Sequence, residues 1–192
     1  MAPIVWKRAL AYLIDILIVS LCLVVVQFFI TYQSFSAETN RIISDLVAGD
    51  IAPRQYFVQI AEVYQKIDLH NFGLNVINLV LIIIFFIIVP LFKEQTIGQM
   101  INGIKIQSAK LTFGQLFIRA IVVNSILISI ISLALVYFIT PLAYLMLLFF
   151  LGLIQFALVI KSVFMILLNE DHRGLQDIWS KTRIVFKEEE DA

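Results

Sequence analysis

AIVVNSILISIISLALVYFITPLAYLMLLFFLGLIQFALVIKSVFMILL, residues 120–168, is the stretch on which the fold turns. Its 49 residues carry a single charge, Lys161. As one helix it would measure about 73 Å at 1.5 Å per residue, more than twice the roughly 30 Å hydrocarbon core of a bilayer. It must therefore fold back. The segment YFITPLAY, Tyr137 to Tyr144, supplies the turn, because Pro141 interrupts a helix and tyrosines suit the membrane–water boundary. One interfacial stretch in place of two spans is the weaker alternative.

Working outward, two more segments reach spanning length. Ala9 to Tyr32 is mostly apolar with a single charge, Asp15, and Asn71 to Phe92 has the uncharged core LVLIIIFFIIVPLF. The first resembles a signal peptide only superficially, since its apolar run is too long and carries an acid, so it reads as a retained helix. The whole chain is 61% hydrophobic and 15% charged, against about half and a quarter in soluble domains, and its mean hydropathy is +0.96. The expected fold is an all-α integral membrane protein of one domain over 1–192. Its four-helix transmembrane bundle would have spans at about 9–32, 71–92, 118–138 and 143–167. An extracytoplasmic helical insertion (33–70) and a small cytoplasmic motif layer (93–117 and the tail 169–192) complete it.

Basic residues orient the bundle. Only Arg41, Arg54 and Lys66 of the fourteen Lys and Arg fall between 33 and 70; the rest sit in the N-terminal segment, the connection, the fourth span and the tail. Both termini are therefore expected in the cytoplasm of a multi-pass protein of the cell (inner) membrane. The formal net charge is zero, which removes the basic surplus of a nucleic-acid binder. The single Cys22 permits no internal disulfide.

Between spans the chain is patterned. Ile42, Ile43, Leu46 and Val47 form a short amphipathic stripe closed by Gly49, and a second helix begins at Pro53 and repeats Tyr56, Phe57, Ile60, Val63, Tyr64 and Ile67. Such a pair suits either surface helices lying on the bilayer or capping the spans, or a periplasmic-type lid or partner-docking site. In KEQTIGQMINGIKIQSAKLTFGQLFIR, residues 93–119, Gly98 and Gly103 punctuate the chain, and Thr112 with Gln115 makes a capping box. The strand-like pieces IKIQ and TRIVF are expected to pair.

These segments, in this order, resemble the RDD family of small multi-spanning membrane proteins, named for one arginine and two aspartates. WKRALAYLID matches its first helix and places Arg8 and Asp15. TIGQMINGIKI and TFGQLFIR match its connection, giving Thr96, Gly98, Gly103, Lys105, Gly114, Gln115 and Arg119. QDIWSKTRIV matches its final motif, giving Asp177, Thr182 and Val185. Where the family has a small Gly-containing turn, this chain has Gln107-Ser108-Ala109-Lys110. The resemblance implies transport of an unidentified ligand and no common reaction.

An acid six residues into hydrocarbon needs a partner, water or a proton. Depth counting along the spans places Asp15, Asn124, Ser125 and Lys161 in one layer. That layer reads as a buried Asp15–Lys161 pair fixing the helix packing, or as an ion or proton site. Gln27, Asn75 and Asn78 form a second polar layer. Arg8 reads as an interface anchor or a partner of Asp177, and Asp177 as a salt-bridging residue tying the tail to residues 93–119. His70 and His172 lie on opposite sides, and HExxH, CxxC, GxSxG and phosphate-loop patterns are missing, so neither enzyme activity, metal nor cofactor is expected. The functional expectation is a small transporter, coupled to a monovalent cation or a proton through Asp15 and acting as a homo-oligomer in the lipid bilayer, with no nucleic-acid partner. The alternative is a scaffold, assembly factor or accessory subunit.

Overall fold

A computed structural model describes residues 3–29 and 35–187; the end of the first span at Tyr32 and the acidic tail beyond Lys187 lie outside them. Among the described residues, three continuous helical stretches are long and apolar enough to cross a membrane. They are α1 (Pro3–Gln27), α9 (Pro141–Leu168), and α4 (Phe72–Ile83) extended by a π-helical turn at Ile84–Ile88 and by α5 (Val89–Lys93). Ala11, Asp15 and Val19 of α1 are buried, whereas Trp6, Leu10, Leu13, Leu17 and Leu21 are exposed. Both sets recur at spacings of three or four, so one stripe faces protein and the opposite one suits lipid. The π turn precedes Pro90, which has no N–H for the carbonyl of Phe86, and the wider turn accommodates that missing bond.

The third span expected at 118–138 is not one straight helix. α7 (Phe113–Asn124) and α8 (Ile126–Leu135) meet at 85°, with Ser125 between them at φ 53°. The last four carbonyls of any helix lack intrahelical donors, and inside a membrane they must be satisfied by protein. Here Gln155 of α9 donates to the carbonyl of Val122 at 2.7 Å, and the Tyr12 hydroxyl donates to that of Val123 at 3.1 Å. The polar pair Asn124-Ser125, read from depth as part of a layer, instead marks a break whose free backbone groups are taken by neighbouring helices.

At one end of the bundle α6 (Ile97–Ile101) and α10 (Leu175–Trp179) join a two-stranded antiparallel sheet. β1 (Ile104–Gln107) pairs with β2 (Arg183–Phe186), with Ile104 opposite Phe186 and Ile106 opposite Ile184. Period-two alternation turns Ile104, Ile106 and Ile184 into a core with Ala11, Ile87, Leu116, Ala120 and Ile126. Gly103 enters β1 at φ 65°, a conformation that disfavours side chains. Capping boxes start α6 at Thr96–Gln99 and α7 at Thr112–Gln115.

At the other end α2 (Ser36–Ala48) and α3 (Pro53–His70) form the helical insertion. Gly49 closes α2 in the left-handed conformation, and Ile42, Ile60 and Val63 bury one face. The pair is fastened to the turn between α8 and α9. Gln65 donates to the carbonyls of Val136 at 2.7 Å and Ile139 at 2.9 Å. The Tyr144 hydroxyl donates to Asp68 at 2.6 Å and lies 2.5 Å from Ser132. Gln65→Ala orphans both carbonyls and should destabilise this docking by about 1–3 kcal/mol. Hydrogen exchange across residues 36–70 would rise accordingly; unchanged protection would show that Gln65 does not fasten the insertion.

Candidate functional site

Three distant segments meet on one carboxylate. Asp177, in the first turn of α10, has no exposed surface and accepts the Gly174 N–H at 2.9 Å. Arg8 of α1 donates to its Oδ2 at 2.6 Å, and Arg119 of α7 to its Oδ1 at 2.5 Å. Arg119 Nη1 also donates to the Thr182 hydroxyl at 2.5 Å, which in turn lies 2.8 Å from that of Ser180. Arg8 Nη1 donates to the His172 carbonyl at 2.6 Å. Burial by itself pushes the Asp177 carboxyl up, but the guanidiniums of Arg119 and Arg8, with the Gly174 N–H, outweigh it and hold the group below the usual carboxylate range. Arg8 is thus a partner of Asp177 rather than a headgroup anchor. Asp177 ties the tail both to residue 119 and to the first helix.

Asp15 has different partners from the one expected. Its Oδ2 accepts the Thr96 hydroxyl at 2.6 Å and its Oδ1 accepts the Gly98 N–H at 2.7 Å. The segment after α5 folds back along α1, so that the carboxylate holds the first turn of α6. Gly98 is needed for this approach, because a Cβ there would lie 2.0 Å from the carbonyl oxygen of Ala11. Ala11 and Asp15 stand four residues apart on one face of α1, and together they make the seat for Thr96-Ile97-Gly98.

Lys161 does not pair with Asp15; it is exposed. Its neighbour Ser162 is the inward residue, hydrogen-bonded to Gln176 and accepting the Leu175 N–H at 3.2 Å. Successive helical residues point about 100° apart, so counting depth along the chain does not give the facing of Lys161. Ser125 serves the helix break. In the second expected layer Asn75 donates to Asp68 at 3.3 Å, while Gln27 is exposed.

A cavity of about 530 Å³ lies among α1, α7, α9 and α10, within the roughly 300–1,000 Å³ common for small-ligand sites. Asp15, Thr96 and Asn124 line it towards the middle of α1, and Arg8, Arg119 and Gln176 line it towards α10. Most of the remaining wall is aliphatic. Asp15 and Asn124 therefore share a cavity without Lys161. Ser162, Gln176 and Ala11 were missed as members of this site, and only the small residue four positions before Asp15 offered a signal in the sequence.

A model of the RDD family matches residues 2–181. The chain belongs to the RDD family. Among curated proteins and solved structures no match is found. The apolar helices make it a membrane-type protein of that family. The RDD motif residues fall into two latches beside the cavity. Arg8, Arg119, Asp177 and Thr182 form one, and Asp15, Thr96 and Gly98 form the other, while Gly103 turns the chain into the sheet.

Gly98→Ala forces α6 off α1, and overpacking of this kind costs about 1–3 kcal/mol or more; a thermal midpoint equal to wild type would contradict the close approach. For Asp177 the folded carboxyl titrates below its unfolded value of about 3.9. Its stabilisation is complete above that range and disappears as pH falls through the folded value. Thermal stability should accordingly fall on acidification below about pH 5, and Asp177→Asn should flatten that slope while lowering stability at neutral pH. A variant with the wild-type acid slope would remove Asp177 as its source.

Proposed function

We propose that this RDD-family chain is a small four-span transporter of the inner membrane, with both termini cytoplasmic and the cavity beside Asp15 as its substrate site. The orientation follows from the Lys and Arg distribution, with the bent α7–α8 pair as the third crossing. The observation that carries the proposal is the position of Asp15, an intramembrane acid that lines the cavity and at the same time holds α6. Discontinuous helices at a binding site are common in transporters, and the break at Ser125 and the π turn before Pro90 fit that pattern. A cavity within one chain supports a site that needs no second subunit.

The same geometry supports coupling to a proton or monovalent cation. The carboxylate accepts two hydrogen bonds, each worth about 1.5–3 kcal/mol when the acceptor is charged. A proton on one oxygen converts an acceptor into a donor, weakening the hold on Thr96 or Gly98. Thr96 and Gln99 also line the cavity, so release of α6 would open it towards the cytoplasm. The scaffold or accessory-subunit reading rests on the insertion, which exposes Val47, Phe57 and Tyr64 at 82%, 57% and 52%.

The test is flux in proteoliposomes loaded with a pH-sensitive dye and pulsed with Na⁺. The transporter moves protons in response, and Asp15→Asn abolishes the movement. Asn keeps the size of the acid and still accepts from Gly98, but like the protonated acid it presents a donor where Asp15 accepts from Thr96, so it should insert and fold with a lowered thermal midpoint. Vesicles that stay as tight as protein-free ones despite correct insertion would reject transport of these ions and favour the accessory role.

A further inference from the structure

The two guanidiniums at the Asp177 end of the cavity face one carboxylate, which leaves one positive charge uncompensated among these three groups. Their donors are only partly used. Arg119 engages Asp177 and Thr182 through Nη1 alone, and Arg8 uses Nη1 and Nη2 but not Nε. Among the described residues these remaining N–H groups have no protein acceptor, and they are not sealed in the interior, since both side chains line the cavity. A guanidinium with free N–H groups in an apolar chamber is suited to a planar or tetrahedral anion.

The opposite requirement holds at the sides. Trp6 and Leu13 of α1 and Val163 and Leu167 of α9 line the cavity, and all four are exposed, between 39% and 58%. With the orientation proposed above, this apolar mouth lies in the inner leaflet, open sideways to acyl chains. Asp15, a carboxylate about 10 Å along α1 from Arg8, disfavours an anionic group at the deeper end. The charge pattern thus fixes which end of a ligand goes where.

We infer that the cavity binds a single-chain amphiphile with one anionic head group, the head held by Arg8 and Arg119 and the alkyl chain leaving between α1 and α9. A volume of about 530 Å³ matches one drug-sized molecule and is small for a two-chain lipid. This rests on the cavity being the substrate site, but its test is equilibrium binding and needs no flux.

Trp6 stands at the mouth and the other tryptophan, Trp179, does not line the cavity, so quenching of Trp6 in a Trp179→Phe background reports occupancy. The full chain in nanodiscs is titrated with dibromostearate, dibrominated phosphatidylglycerol or dibrominated phosphatidylcholine. Saturable quenching by dibromostearate at least about tenfold tighter than by either phospholipid is expected. Val163→Phe, which fills the mouth away from the ion cluster, should abolish it. Arg119→Lys, which keeps the charge beside Asp177 but loses the planar fork, should weaken it about tenfold. Equal quenching by all three probes, or saturation by phosphatidylglycerol alone, would overturn the inference, as would dibromostearate binding that survives Val163→Phe. Trp6 shielded from every probe would mean that a second copy covers the mouth and would also overturn it. Binding without flux leaves this inference standing and rejects transport, whereas flux without binding does the reverse.

Discussion

A carboxylate withdrawn from solvent costs several kcal/mol unless charges and donors replace water, and at Asp177 two arginines and a backbone N–H do so. Each partner comes from a different part of the chain. Arg8 brings the start of the first helix, Arg119 the middle of α7, and Gly174 the loop after α9. The arrangement therefore fixes where α1 and α7 stand relative to the tail, and the sheet follows, because β2 begins one residue after Thr182. Such ion clusters specify geometry more than they add stability. In this chain the geometry specified includes one end of the cavity.

The second latch works on shape as well as charge. Asp15 could not reach Gly98 if that residue had a side chain, since the backbone of α1 at Ala11 already occupies the space. Thr96 both starts α6 by capping Gln99 and donates its hydroxyl to Asp15. Three roles are therefore concentrated in Thr96-Ile97-Gly98: a cap, a hydrogen-bond donor and a close packing surface. Loss of the charge on Asp15 would loosen a contact that lines the cavity, the property on which the proposed coupling rests.

Much of this was legible in the residues. Apolar length marked the spans, alternation marked the strands IKIQ and TRIVF, and Thr112 with Gln115 announced the start of α7. Asp177 was readable as a tether because a tail aspartate among cations has few other uses. What was not legible depends on tertiary contacts. Lys161 faces away from Asp15, and only the packing of Ser162 against Gln176 fixes that rotation. The break at Ser125 depends on Gln155 and Tyr12 reaching the freed carbonyls from other helices. The docking of Thr96 on Asp15 bridges 81 positions in sequence, a separation that no local pattern encodes.

The most direct test of the shared ion cluster is a double-mutant cycle on thermal or denaturant stability, pairing Arg8→Gln with Asp177→Asn and Arg119→Gln with Asp177→Asn. Groups in one network couple by about 0.5–3 kcal/mol, whereas independent sites add to within about 0.5. The account predicts coupling of at least about 1 kcal/mol in both cycles. Additivity in either one would mean that Asp177 does not join that helix to the tail.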